Sequence, residues 1–284
     1  ERTIIEETPD SKELLVGYIA RDRQSCRLVA CNRESGAERT IIEEVSGDSD
    51  HSFVDCTNNK CSWRWLGGGK EIIHLSEIDG WCHLYVTSFS ATEERRTRQL
   101  TTGKWVVRDI KRVQEEVPGG GRPGVWFTAN GCVAGHDPYF IHLCWAPLAS
   151  LDGKEGEEVK VLTHDAEGTH SITFSKCGRF FLDAWSRVDL PPVVQLRSAL
   201  HGQILQELEQ GDASALFQAS YHAPIRFHTV GRDDVTHIYG VIFRPPGAHS
   251  ASSSVPVVEE IYAGPHGAFC PKSWEEALSS STAR

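Results

Sequence analysis

The chain has 284 residues, 39% of them hydrophobic and 24% charged, with 39 Asp and Glu against 29 Lys and Arg for a formal net charge of −10. That length and apolar content suit one large folded domain or two ordinary ones. The acidic balance, with no basic stretch to offset it, excludes nucleic acid as a partner.

No apolar run approaches the roughly 18 residues that a membrane span requires. The opening Glu-Arg-Thr-Ile-Ile-Glu-Glu is not a signal peptide, and the chain contains no methionine at all, so it is expected to be a fragment whose compartment is not readable. Nine cysteines stand at positions 26, 31, 56, 61, 82, 132, 144, 177 and 270, none in a Cys-x-x-Cys pair. Cys56 and Cys61, with His51 and Cys82 nearby, have the wrong spacing for a compact zinc knuckle. Buried free thiols are expected, and no metal or cofactor.

From residue 10 to residue 210 the pattern is short strands divided by turns. Strands are predicted at 13–19, 26–31, 40–43, 61–66, 71–75, 83–87, 105–112, 125–128, 139–145, 159–163, 171–175, 180–185, 193–196 and 204–208. Few helical patterns interrupt them, which makes the fold mainly β. A longer period lies over the strands. Gly69-Lys70-Glu71-Ile72-Ile73-His74, Pro123-Gly124-Val125-Trp126-Phe127-Thr128 and Gly178-Arg179-Phe180-Phe181-Leu182-Asp183 are each a glycine turn feeding an apolar strand, about 54 residues apart. Two further strands follow each. Four strands per unit at that period predict the blades of a β-propeller rather than a sandwich. Three units are complete, and part of a fourth occupies 10–45. A closed ring needs four to eight blades, so an open arc with exposed, aggregation-prone edges is expected. The heptapeptide Glu-Arg-Thr-Ile-Ile-Glu-Glu occurs at both 1–7 and 38–44; with dissimilar flanks it reads as a duplication or assembly artefact.

Near residue 212 the character changes. A short helix is predicted at 212–219 with Asp212 as N-cap, then a hairpin from 225–230 and 235–243. A Ser-rich loop leads to Val255-Pro256-Val257-Val258-Glu259-Glu260-Ile261-Tyr262, an apolar, β-branched strand that stops at Ala263-Gly264-Pro265. A strand ending in a turn is how α/β enzymes present a polar side chain at the carboxyl end of a sheet, where their sites form, which singles out Tyr262.

Several segments together resemble the dipeptidyl-peptidase IV branch of the prolyl oligopeptidase family. They are Asp79-Gly80-Trp81-Cys82-His83-Leu84-Tyr85, Leu100-Thr101-Thr102-Gly103-Lys104-Trp105-Val106-Val107, Asp137-Pro138-Tyr139, Gly168-Thr169-His170-Ser171, Ser186-Arg187-Val188-Asp189-Leu190-Pro191-Pro192, Tyr239-Gly240-Val241-Ile242-Phe243-Arg244-Pro245 and Ile261-Tyr262-Ala263-Gly264-Pro265. The resemblance runs from about residue 13 onward, in the family's order. It implies a partial propeller of four-stranded blades at 1–220, followed at 221–284 by the first strands of an α/β-hydrolase domain. It also implies a serine exopeptidase that releases N-terminal dipeptides, with X-Pro preference, from peptides with a free amino terminus. The full-length protein is expected to dimerise. A non-catalytic propeller scaffold of the same family is the alternative.

The family's nucleophile elbow, Gly-x-Ser-x-Gly, occurs nowhere in the 284 residues, and the family's Asp and His follow that serine. The nucleophile, Asp and His are therefore expected to be absent from this chain, which on its own should be inactive. Tyr262 matches the family's oxyanion-hole tyrosine, whose phenol donates one hydrogen bond to the tetrahedral intermediate. The family's amine-gripping glutamate pair has no counterpart in matching context. Glu6-Glu7, Glu43-Glu44, Glu93-Glu94, Glu115-Glu116, Glu157-Glu158, Glu259-Glu260 and Glu275-Glu276 all read as solvated charge. His136-Asp137 imitates a base and its orienter, but neighbours on a strand face opposite ways. His170 and Ser171 show no third partner, and Ser186–Asp189 reads as a loop with an internal ion pair.

Overall fold

The computed structural model describes residues 2–22, 24–47, 63–89, 96–115, 123–148, 159–245, 255–262 and 269–279. The candidate metal ligands Cys56, Cys61 and His51, the pairs Glu93-Glu94 and Glu157-Glu158, and the Ala263-Gly264-Pro265 turn lie outside them. Among the described residues the chain is mainly β.

The described residues between 2 and 210 form four successive four-stranded sheets. The first holds β1 (Arg2–Glu7), β2 (Glu13–Ile19), β3 (Ser25–Asn32) and β4 (Glu38–Val45). The second holds β5 (Trp63–Leu66), β6 (Glu71–Ser76), β7 (His83–Ser88) and β8 (Thr97–Gln99). The third holds β9 (Val106–Gln114), β10 (Gly124–Asn130), β11 (Ile141–Pro147) and β12 (Lys160–Val161). The fourth holds β13 (Thr169–Phe174), β14 (Phe180–Arg187), β15 (Leu190–Ser198) and β16 (Ile204–Gln210). In each, strands neighbour one another in chain order. This is the blade pattern of a partial β-propeller.

The chain packs as two compact units, Glu1–Cys132 with Leu143–Val161, and Val133–His142 with Leu162–Arg284. In the first unit, Leu15, Leu28, Ile41, Trp63, Ile72 and Phe89 bury one cluster, and Ile73, Leu84, Val86, Ile110, Val125 and Phe127 a second. Each such side chain contributes about 1.5–3 kcal/mol by leaving water. The turn from β5 to β6 is Gly67-Gly68-Gly69, all at positive φ (60°, 65° and 96°), which a side chain bearing a Cβ rarely adopts.

The first sheet is complete, where the sequence pattern shows only part of a unit. The missing strand is β1, which pairs antiparallel with β2 through Ile5↔Val16 and Glu7↔Leu14. Both copies of the repeated heptapeptide are thus strands, at opposite edges of one sheet. In the second copy, Arg39 forks onto the Glu13 carboxylate (Nε–Oε1 3.0 Å, Nη2–Oε2 2.7 Å).

In the second unit the fourth sheet is followed by α1 (Ser214–Gln218) and an antiparallel hairpin, β17 (Ile225–Val230) and β18 (His237–Ile242). Asp212 bonds the Ser214 backbone N–H at 2.8 Å, one residue before the helical N-cap Ala213. The helix α2 (Trp274–Ser279) comes last.

Candidate functional site

Tyr262 stands between the β17–β18 hairpin and α2. Residues 255–262 are not a strand, contrary to the expectation from their apolar, β-branched run; they are irregular and exposed. A β-strand exists only where its N–H and C=O groups find a partner strand. No described strand pairs with this segment, and Val257 and Val258 remain 92% and 84% exposed. Tyr262 is 59% exposed, and its ring rests on that of Phe269, with centroids 4.3 Å apart and planes inclined by 54°. Its phenol is accessible as a hydrogen-bond donor.

Phe269 leads directly into an anchored stretch. Three residues on, Lys272 is 8% exposed, and its Nζ lies 2.6 Å from Asp137 Oδ2. The same ammonium sits 5.0 Å from the Tyr139 ring centroid and 5.5 Å from that of Tyr239, two rings that meet edge to face. A buried ammonium is tolerable only when it is paired in this way. Ser273 and Glu276 then form a capping box for α2: the Ser273 N–H donates to Glu276 Oε2 (3.0 Å) and the Glu276 N–H to Ser273 Oγ (3.3 Å). Trp274 is buried beside Phe217 and Tyr221, and its N–H donates to Ser186 Oγ at 3.1 Å.

His136 and Asp137 lie in the turn before β11, not on a strand. They do not act together: Asp137 takes Lys272, while His136 Nδ1 lies 3.4 Å from His142 Nε2. Asp137-Pro138 is the expected turn, with the Tyr139 N–H on Asp137 Oδ1 at 2.9 Å. The ion pair expected within Ser186–Asp189 is present, Arg187 Nε to Asp189 Oδ1 at 2.9 Å. Burial opposes ionisation of Asp189, but the Arg187 hydrogen bond and charge, and then Arg226, hold its carboxyl below the usual range.

The fourth sheet also encloses a buried polar core for which the amino-acid pattern carries no signal. His170 Nδ1 lies 2.8 Å from Asp183 Oδ1 and its Nε2 3.2 Å from the Ala166 carbonyl, so both ring nitrogens face acceptors. Asp183 Oδ2 forms an ion pair with Arg197 Nε at 2.8 Å, and the Arg197 Nη groups donate to Asp165, Gln195 and the Gly202 carbonyl. A His–Asp pair is the geometry of a base and its orienter. Here both side chains are 0% exposed, so no substrate reaches them, and Ser171 lies on the exposed face. Beside them, burial and the nearby His170 push His142 down to about 3, and burial in the first unit takes His74 to about 4.

Of the described cysteines, only Cys82 and Cys144 are buried; Cys177 is exposed and the others are half-buried. Expected burial thus holds for two of the seven described, because positions near strand ends and in turns leave the rest partly or wholly exposed. Among the described residues no three His, Cys, Asp or Glu side chains converge as metal ligands. The described glutamates of the adjacent pairs, among them Glu259 and Glu260, are exposed or half-buried.

A family model described as the dipeptidyl peptidase IV (DPP IV) N-terminal region matches residues 5–192. Among solved structures, the chain is similar to a putative dipeptidyl aminopeptidase IV from Bacteroides ovatus, with TM-score 0.69 and 21% identity over 98% of this chain and 38% of that one. It is also similar to Porphyromonas gingivalis dipeptidyl peptidase 4, with TM-score 0.62 and 18% identity over 85% of this chain and 31% of that one. The chain thus spans about a third of the length of these structures.

Proposed function

We infer the function from one premise: the chain belongs to the dipeptidyl peptidase IV N-terminal-region family, whose model covers about two thirds of it. The reading is that residues 1–220 are the later part of a peptidase propeller and residues 221–284 the opening of an α/β-hydrolase domain. The parent protein is then a serine exopeptidase releasing dipeptides, with X-Pro preference, from peptides with a free amino terminus. Serine attack, assisted by histidine, forms an acyl-enzyme that water hydrolyses. The propeller limits access to chain ends.

Within that scheme Tyr262 is the oxyanion donor. Its exposure and its place beyond the hairpin support the role, because a buried phenol could not meet a substrate carbonyl. The family match is the observation that carries the reading.

The test is turnover of a Gly-Pro chromogenic substrate by the full reading frame. Tyr262→Phe is expected to lower kcat by about 10²–10³, the loss of one oxyanion donor. The 284-residue chain by itself is expected to take no label from a fluorophosphonate. A parent frame without a Gly-x-Ser-x-Gly elbow, and without turnover, would establish the scaffold alternative instead.

A further inference from the structure

We propose that Lys272, held by Asp137 between the rings of Tyr139 and Tyr239, is the positioning residue for Tyr262. This rests on the reading of Tyr262 as oxyanion donor. Oxyanion stabilisation requires a donor fixed within about 0.5 Å, since a loose phenol pays its ordering entropy at the moment of reaction. Yet no described strand pairs with residues 255–262. The contact that the structure gives the Tyr262 ring is with Phe269. Phe269 is itself 55% exposed, so its own place must be set by the chain it leads into.

That chain is fixed at Lys272. It lies three positions beyond Phe269, a reach of about 10 Å at most. Lys272 is a flexible side chain that loses much rotamer freedom when immobilised. Burying it here is explained by what it meets: one carboxylate at 2.6 Å and two aromatic faces. Two sequence motifs that the chemistry left unused, Asp137-Pro138-Tyr139 and Tyr239-Gly240, supply all three partners. A surface lysine would hold α2 no worse by helix-cap contacts alone, because the capping box and Trp274 already secure the helix. The buried pair therefore adds definition on the Phe269 side, where Tyr262 needs it.

The experiment is steady-state kinetics of the full-length protein with a Gly-Pro chromogenic substrate. Variants are Tyr262→Phe, Lys272→Met, Lys272→Arg, Asp137→Asn and the double variant Tyr262→Phe with Lys272→Met. Lys272→Met and Asp137→Asn are expected to lower kcat at least tenfold with KM changed less than twofold, and Lys272→Arg to recover most of the loss. In the Tyr262→Phe background, Lys272→Met is expected to cost nothing further, because it acts through the phenol. Asp137→Asn keeps the shape of the pair and serves where Lys272→Met does not fold. If Tyr262→Phe is slow while Lys272→Met and Asp137→Asn keep full kcat, the positioning role is wrong and the oxyanion reading stands. An equal Lys272→Met loss in both backgrounds overturns it too. If Tyr262→Phe is as fast as the wild type, the oxyanion reading fails and this inference with it.

Discussion

Asp183 carries more structural weight than any other carboxylate described in the second unit. It is fully buried and joins His170 at 2.8 Å to Arg197 at 2.8 Å, on three adjacent strands. Asp183→Ala would leave the Arg197 guanidinium, 1% exposed, without its inner counter-charge. We expect a loss of about 3–5 kcal/mol, measured by denaturant unfolding. None of this was legible beforehand. His170 and Asp183 are 13 residues apart in sequence and meet only through the register His170↔Trp185, which sets them diagonally on one face. A neighbouring residue gives a pH signature. His142 is held near 3, well below the 6.5 of a free imidazole. It is neutral in both states above pH 6.5; below that the unfolded chain binds a proton that the folded chain refuses. Stability therefore falls by up to about 1.4 kcal/mol per pH unit as the pH drops from 6.5 towards 3. His142→Asn cannot be protonated and keeps an N–H for the Thr163 carbonyl, which His142 Nδ1 meets at 3.1 Å. Its unfolding free energy is expected to fall less steeply over that range, by about one proton; an unchanged slope would refute the assignment.

At the level of elements, strands that alternate in composition and end in glycine turns were legible, because both signals are local. Predicted and observed strands coincide at β2 and β17, and elsewhere differ by a few residues at their ends. The pattern failed where pairing rather than composition decides. Residues 255–262 have a β-branched run yet no described partner strand, whereas the charged Arg2–Glu7 is a strand because β2 pairs with it. Turns between strands can be tested in the same terms. Gly202, in the β15–β16 turn, has φ +71°, and a Cβ there would stand 2.1 Å from the Leu162 carbonyl oxygen. Its own carbonyl accepts Arg197 Nη1 at 3.0 Å, so the turn cannot shift without loosening the buried core. Gly202→Ala is expected to cost at least about 2 kcal/mol, from backbone strain and overpacking together. A melting temperature within a degree of wild type would show that the turn yields freely.

Across the whole chain, the blade period was legible from three glycine turns, and the family from motifs spread over most of its length. What surrounds Tyr262 was not, because the anchoring of its segment depends on Asp137, Tyr139, Tyr239 and Lys272 converging from distant positions. Surface character is likewise a property of the assembled chain. Every residue of β16 is exposed, with Ile204, Leu205 and Leu208 among them, and the two-stranded sheet exposes Ile225, Phe227, Val230, Ile238 and Ile242. Apolar side chains on an edge strand and on a two-stranded sheet invite pairing with another copy. Glu207 and Glu209 alternate with these side chains along the strand, but Ile204, Leu205 and Leu208 stay exposed among them. The 284-residue chain is therefore expected to self-associate as its concentration rises, seen as a growing sedimentation coefficient. Placing like charge on that edge, with Leu205→Glu and Leu208→Glu, should shift the onset to at least tenfold higher concentration, since those side chains project from the surface and fill no core. A wild-type chain that sediments as one monomeric species over the same range would count against this.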